Sequence, residues 1–176
     1  MTKTQIEEYL VKLENELLNI SEKKKIEFSR NWANSFPNEA AVYIFREDGE
    51  ICYAGETGSI QGRMSDILNT KNHTLRRNLG NHYFSEHSNY EKPNSKKGFC
   101  QEIEMLLNEK IITNLTISYI LVDLGRKELE ERLYERFSPK YSIKGKRGLK
   151  KVTLWMKNEL KIKMLTYLGI KKMMKN

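Results

Sequence analysis

Two phenols, one guanidinium and one carboxylate stand out in the sequence as side chains that could act together on a phosphate ester. Tyr43 and Tyr53 flank a tight-turn dipeptide, Arg63 follows soon after, and Glu130 lies in a later helical stretch. An arginine can bind a phosphate oxygen as negative charge develops on it. A carboxylate can hold a hard divalent ion. These residue types suit metal-assisted phosphoryl chemistry if the fold brings them together.

A β-hairpin followed by a helix must position the first three of these side chains. Residues 41–45 and 51–55 are rich in β-branched and aromatic residues, and Asp48-Gly49 between them accepts the positive φ angles of a tight turn. Ser59 can then cap a helix whose apolar residues follow helical spacing: Ile60, Met64, Ile67 and Leu68. Arg63 lies on the flank of that apolar stripe. The spacing predicts that both phenols and the guanidinium meet at one end of a small sheet.

The helix predicted over residues 127–137 carries an acidic residue on its apolar side. Its apolar residues fall on one side of the helix: Leu129, Leu133, Tyr134 and Phe137. At about 100° per residue, Glu130 projects roughly 35° from the centre of that face. A lone carboxylate there is costly unless it has a partner. Two interpretations stay open, a functional carboxylate bound to a metal ion, or a structural salt bridge with a residue such as Arg63.

These motifs resemble those of the GIY-YIG nuclease family over about residues 37–142. Ala41-Val42-Tyr43 and Tyr53-Ala54-Gly55 stand where the family has its two triplets, and Arg63 stands where it has its helix arginine. Glu130 matches the family's metal-binding glutamate, and residues 137–142 resemble its closing segment. The resemblance implies a metal-dependent DNA endonuclease with a single Mg²⁺ or Mn²⁺ ion on Glu130. It also implies that Arg63 binds the phosphate, that Tyr43 orients or deprotonates water, and that Tyr53 orders the same network.

Three positions depart from the family pattern. Ala41 replaces a glycine, Ser142 replaces the usual asparagine, and Ile67 stands where some members have a further tyrosine or histidine. His73 is the nearest candidate for that missing helper. The departures leave room for an alternative, a catalytically inactive nucleic-acid-binding protein that keeps the nuclease fold. An RNA-directed nuclease is a weaker alternative, because no aromatic platform for RNA stands out.

Positive charge is concentrated at the C-terminus of a chain whose formal net charge is +8. Residues 140–176 contain twelve Lys or Arg and one acid, against 19 basic and 22 acidic residues elsewhere. Such a segment is either a phosphate-binding surface or a solubilising tail. The predicted DNA contacts are His73, Arg76, Arg77, Lys146, Arg147, Lys150 and Lys151. For the first three, an ordinary exposed basic turn is the other interpretation.

The predicted fold is a small α/β sandwich, a mainly antiparallel three-stranded sheet flanked by helices. Its third strand covers residues 115–122, and Lys23-Lys24-Lys25 is expected in a solvated turn. We expect an N-terminal helical extension over 1–36 opened by a capping box at Thr4, the nuclease core over 37–142, and a basic helical segment over 143–176. Two cysteines suggest no disulfide framework, and no run is apolar enough to span a bilayer. A cytoplasmic protein, monomeric or homodimeric, is therefore expected, and the resemblance implies double-stranded DNA as its partner.

Overall fold

The computed structural model describes residues 3–21 and 23–142. In this part of the chain a four-stranded antiparallel sheet has helices on both faces, with strand order β1-β4-β2-β3. The elements in chain order are α1 Lys3–Leu18, β1 Lys24–Lys25, α2 Arg30–Asn34, β2 Ala41–Glu47, β3 Glu50–Thr57, α3 Ile60–Asp66, α4 Thr74–Phe84, α5 Gln101–Asn114, β4 Leu115–Leu121 and α6 Arg126–Phe137. The predicted α/β class, with a mainly antiparallel sheet flanked by helices, is confirmed.

The central hairpin forms as the sequence predicts. Strands β2 and β3 pair with Tyr43 opposite Gly55 and Phe45 opposite Tyr53. Asp48 and Gly49 make the turn with φ angles of 51° and 92°. Both angles lie in the left-handed region that Asp and Gly tolerate better than other residues, which is why this dipeptide fixes the turn.

The sheet has one strand more than predicted among the described residues. Lys24 and Lys25, expected in a solvated turn, form β1 and pair with β4. The buried side chain of Ile26 anchors this segment, and Trp32 Nε1 donates a hydrogen bond of 2.9 Å to the Lys25 carbonyl. These two tertiary contacts draw the lysine backbone onto the sheet edge while the Lys25 side chain stays exposed. The capping box at Thr4 is also wrong, because α1 already includes Lys3.

The two faces of the sheet pack against different helices. Alternate residues of β2 point to opposite faces, since side chains alternate along a strand. Tyr43 and Phe45 join the cluster that includes residues of α2, α3, α4 and α5, whereas Val42 and Ile44 join the cluster formed with α1 and α6. The buried carboxylate of Glu14 on α1 pairs with two arginines of α6. The N-terminal helix therefore packs on the sheet together with α6.

Residues 143–176 lie outside the described residues, together with the predicted phosphate contacts Lys146, Arg147, Lys150 and Lys151. The predicted C-terminal helical segment and the boundary between residues 36 and 37 stay predictions. Within the described part, none of the helices combines the length and apolar character needed to cross a membrane.

Candidate active site

Arg63 and Tyr43 are joined by a hydrogen bond at the centre of the site. Arg63 Nε donates to the Tyr43 hydroxyl at 2.9 Å, and Nη1 reaches Asp66 at 3.5 Å. The helix α3 that carries Arg63 starts at Ser59, whose Oγ accepts the N–H of Gly62 at 3.0 Å, as predicted. The Arg63 side chain keeps 26% of its surface exposed. It can therefore contact a substrate while Tyr43 holds one of its donors.

Tyr43 is fully buried, and its position depends on the absence of a side chain at Gly55. A Cβ atom at Gly55 would lie 2.6 Å from Tyr43 Cζ, far inside van der Waals contact. The Tyr53 ring stacks beside it, with centroids 6.2 Å apart and an interplanar angle of 25°. The second triplet thus contributes a phenol at its first position and free space at its third.

Burial dominates the protonation of both phenols. It raises the pKa of Tyr43 far above the usual value of a tyrosine, and Tyr53 adds to the rise, whereas Arg63 opposes it. Burial also raises the pKa of Tyr53, against the opposing charge of Arg63. Burial alone would lower the pKa of Arg63, but its interactions with Tyr43 and Tyr53 outweigh burial and the pKa is raised. At neutral pH the cluster therefore consists of two neutral phenols and a guanidinium cation.

Glu130 reaches the cluster from a helix on the other face of the sheet. Its neighbour Leu129 packs in the cluster opposite to Tyr43. However, β3 is an edge strand, and α6 crosses it close to Glu56. The Glu130 carboxylate interacts electrostatically with Tyr43 and Tyr53 as well as with Arg63. The four residues picked out in the sequence are therefore brought together at the end of the hairpin.

Glu56 is a second carboxylate of this site, and the sequence reasoning missed it. Burial raises the pKa of Glu130 to about 7, and the charge of Glu56 is the next largest cause, whereas the Glu56 backbone and Arg63 act in the opposite direction. Arg126 Nε lies 3.4 Å from the Glu56 carboxylate, and Arg126 Nη1 donates to the Thr57 carbonyl at 3.3 Å. Two sequence signals could have indicated these residues. Glu56 directly follows the second triplet, and Arg126 lies one helical turn before Glu130.

The donor atoms suit a hard divalent ion held mainly by water and substrate. Among residues 3–21 and 23–142, no group of three or more His, Cys, Asp or Glu side chains could hold a metal ion. Mg²⁺ is commonly bound through one or two carboxylates, with waters and phosphate oxygens completing its coordination. Glu130, with Glu56 beside it, provides such a set, and a cation would offset the repulsion from Glu56 that, after burial, raises the Glu130 pKa. The residues present therefore fit a hard divalent ion.

Ser142 makes two hydrogen bonds to the edge strand, although it departs from the family pattern. Its Oγ accepts the N–H of Ala54 at 3.0 Å and donates to the Ala54 carbonyl at 3.4 Å. The N–H of Tyr141 donates to the Cys52 carbonyl at 2.9 Å. The closing segment is thereby fixed along β3 next to the second triplet. Ala41, the other departure, is fully buried in the core on the Tyr43 face.

The structure contradicts two of the predicted phosphate contacts near α4. His73 is fully buried and caps α4, with Nδ1 accepting the N–H of Leu75 at 3.2 Å. Arg76 is 2% exposed and donates to Glu104 and Asn108. A side chain without exposed surface cannot contact a DNA backbone, so both predictions are wrong. Arg77 is half-buried, and a contact between Arg77 and phosphate stays a prediction.

His73 instead packs behind the site. Its ring centroid lies 5.7 Å from that of Tyr53, and its Nε2 has no hydrogen-bond partner within the described ranges. Burial holds the pKa of His73 well below its usual value, and the nearby cations Arg63, Arg77 and Arg76 lower it further. The imidazole is therefore neutral.

Comparison with known proteins finds solved structures that are similar to this chain. No protein-family model and no curated protein matches the chain. The chain is similar to the GIY-YIG N-terminal endonuclease domain of UvrC from Thermotoga maritima bound to magnesium, at 21% identity and a TM-score of 0.38. Two point mutants of that domain, each bound to its catalytic divalent cation, are similar at 21% and 19% identity with TM-scores of 0.38 and 0.37.

Each of these likenesses covers 65% of this chain and 94% of the other. The three structures carry the name of the family that the sequence motifs resemble. Because the TM-scores lie below 0.5 and the identities near 20%, these likenesses assign no function to the chain.

Proposed function

We propose that the chain is an endonuclease that hydrolyses DNA phosphodiester bonds with the help of one divalent ion. The observation that carries the proposal is the meeting of four groups at the end of the hairpin. Arg63 donates to Tyr43 at 2.9 Å beside Tyr53, and the Glu130 carboxylate interacts with all three. A cation for the phosphate and a carboxylate for a metal ion are the two groups that such hydrolysis needs most.

Arg63 is the residue proposed to contact the scissile phosphate. Its exposed surface and permanent positive charge suit a non-bridging oxygen, which gains negative charge in the transition state. Glu130, supported by Glu56, would hold Mg²⁺ or Mn²⁺. When bound, such an ion supplies Lewis acidity at the phosphate. Binding of a cation beside Glu130 also requires loss of any proton on that carboxyl, whose pKa is raised to about 7.

Tyr43 is better suited to orient Arg63 than to remove a proton from water. Its phenol is fully buried, and burial raises its pKa, so the phenolate is scarce at neutral pH. Its oxygen accepts the Nε–H of Arg63, which fixes the plane of the guanidinium. The resemblance to the nuclease family implies that Tyr43 orients or deprotonates water. We assign it instead a positioning role, with Tyr53 as the phenol closer to solvent.

The alternative function, nucleic-acid binding without catalysis, is favoured by one specific observation. Neither phenol is an evident base because both are neutral, the neighbouring His73 is buried, and Glu130 is the proposed metal ligand. In this alternative Arg63 would bind phosphate without turnover. The two functions make different predictions for the carboxylate. A nuclease needs Glu130, whereas a binding protein gains affinity when that negative charge is removed.

Plasmid nicking separates the two functions. Supercoiled DNA is incubated with Mg²⁺ or Mn²⁺ and the wild type, Glu130→Gln or Glu131→Gln. Glu131 is the matched control, because it is adjacent in sequence but exposed. We expect Glu130→Gln to lower the nicking rate at least about 10²-fold, since metal-assisted stabilisation amounts to several kcal/mol. Glu131→Gln should nick at nearly the wild-type rate.

Binding of the same DNA is measured in parallel without divalent ions. Retained binding by Glu130→Gln together with lost nicking supports the nuclease. Equal nicking by wild type and Glu130→Gln would contradict it. Binding without nicking by the wild type would favour the alternative function.

A further inference from the structure

A cleft away from the Glu130 carboxylate is built from two loops and two helices. It has a volume of about 570 Å³, within the range of ligand-binding pockets. One wall is formed by residues 68–71, between α3 and α4, and the other by the loop that leads into α5. The floor contains Arg76, Glu104 and Asn108.

The floor is a rigid polar network that ties the two walls together. Arg76 donates to Thr70 Oγ1 at 2.7 Å and to Glu104 at 2.6 Å, and it also donates to Asn108. Glu104 in turn accepts from Thr70 Oγ1 at 2.8 Å and from the N–H of Phe99 at 3.1 Å. The positive charge of Arg76 is therefore compensated within the floor. Its role is to hold the loops at a fixed separation.

The mouth of the cleft carries positive charge that the protein leaves uncompensated. Lys97 pairs with Glu91, so these two charges cancel. Lys71 and Lys96 also line the cleft, and neither ammonium group has an acidic partner in the described part of the chain. Asn94 fixes the loop that presents Lys96, since its Oδ1 accepts the Lys96 N–H at 2.7 Å. Two ammonium groups without an acidic partner thus line one cleft from opposite walls.

We propose that this cleft binds a phosphate group through Lys71 and Lys96. Ammonium groups on a fixed polar frame attract an oxyanion, and a diester or monoester phosphate fits the available volume. The phosphate can belong to bound DNA or to a free nucleotide. The first source rests on the proposed function, and it places a second contact to the DNA backbone outside the reacting centre. The predicted contact by Arg76 is thereby replaced with contacts by lysines on the two walls that the Arg76 network joins.

The salt dependence of DNA binding tests the first source without requiring cleavage. Affinity for a duplex is measured between 50 and 200 mM salt, without divalent ions, for wild type, Lys71→Ala, Lys96→Ala and the double variant. Removal of one ammonium from a DNA phosphate should reduce the slope of log affinity against log salt by about 0.9. The ratio of the wild-type affinity to the affinity of the double variant should therefore fall about tenfold between 50 and 200 mM salt. Lys12→Ala is the matched control, since it removes one exposed ammonium from α1 on the opposite face, and it should leave the slope unchanged.

A titration with inorganic phosphate and with AMP tests the second source. Amide chemical shifts of residues 69–71 and 96–98 are followed by nuclear magnetic resonance in wild type and the double variant. Saturable shifts in wild type that vanish in the double variant support the phosphate site. The proposal is overturned if the slopes of wild type and double variant agree and neither phosphate nor AMP shifts these amides. If the double variant has a reduced slope but the wild type does not nick DNA, the phosphate site in the cleft is supported and the nuclease proposal is contradicted.

Discussion

Gly55→Ala should displace Tyr43 and thereby uncouple it from Arg63. The added Cβ would lie 2.6 Å from Tyr43 Cζ, whereas ordinary contact begins at 3.4 Å, so the ring must retreat by about 0.8 Å. Tyr43 cannot rotate away freely, because it is fully buried and packs edge-on against Phe45 at 5.7 Å. If the ring retreats by this amount along its 2.9 Å hydrogen bond to Arg63, the distance between Arg63 Nε and the Tyr43 oxygen exceeds that of a good hydrogen bond.

Two measurements report this displacement. Overpacking of a buried site costs about 1–3 kcal/mol, which lowers the melting temperature of a domain of this size by about 3–10 °C. A misplacement near 1 Å at a reacting centre costs about 10²-fold in rate, so plasmid nicking should fall by about that factor. Tyr43→Phe removes the same hydrogen bond without the collision. It should lower nicking similarly with a smaller loss of melting temperature.

Gly58→Ala is the matched control for Gly55→Ala. It lies three residues further along the chain, and a Cβ there would meet nothing within 4 Å. Its melting temperature and its nicking rate should stay close to those of the wild type. If Gly55→Ala melts and nicks like Gly58→Ala, the close approach of Tyr43 to the second triplet does not hold Arg63, and the positioning role of Tyr43 is refuted.

Three further predictions concern the residues around the site. Glu14→Gln should destabilise the protein by about 1–3 kcal/mol at pH 7, because hydrogen bonds to charged groups are lost. Burial raises the pKa of Glu14, but its two arginines outweigh burial and lower it, so this stability is present above the ordinary pKa of 4.5 and lost as pH falls. Melting curves of variant and wild type should therefore approach each other as pH falls below 4.5. Burial is the main reason why the pKa of His73 in the folded protein lies below 6.5. As pH falls below 6.5, the wild type should therefore lose up to about 1.4 kcal/mol of unfolding free energy per pH unit relative to His73→Asn. Asparagine is chosen because it can still cap the helix. Parallel pH dependence of the two would contradict a buried neutral imidazole. Arg126→Ala should raise the Mg²⁺ concentration needed for half-maximal nicking by about 10–100-fold, because Arg126 positions the helix that carries Glu130, whereas Lys127→Ala should not. An unchanged Mg²⁺ requirement in Arg126→Ala would remove this positioning role.

Some of the candidate site follows from short-range rules that the sequence obeys. Asp48-Gly49 fixes the hairpin, because few other residues accept positive φ at two successive positions. Ser59 starts the helix that carries Arg63, because its hydroxyl satisfies a free backbone N–H. The helical periodicity predicted α6 to within one residue of its observed start. Each of these features depends on a few neighbouring residues and could therefore be predicted.

Burial at the first turns of α4 could not be predicted in this way. Arg76 and Arg77 are adjacent and chemically identical, and both were expected to face solvent or phosphate. The structure buries Arg76 because α5 places Glu104 and Asn108 opposite it, residues that lie far along the chain. His73 is likewise buried by the rings of Phe45 and Tyr53 from the sheet. Only the packing of these helices on the sheet separates the buried Arg76 from the half-buried Arg77.

The sequence by itself determined the hairpin, the helix that carries Arg63, and the amphipathic helix of Glu130, since each rests on local backbone and periodicity rules. The tertiary structure decided whether these elements form one site. Glu130 lies on a helix that packs against the face opposite to Tyr43, and it reaches the cluster because the strand order leaves β3 at the edge of the sheet. That order depends on the pairing of β2 with both β3 and a distant β4. Long-range pairing of this kind is set by how the whole core packs, and no local pattern of residues specifies it.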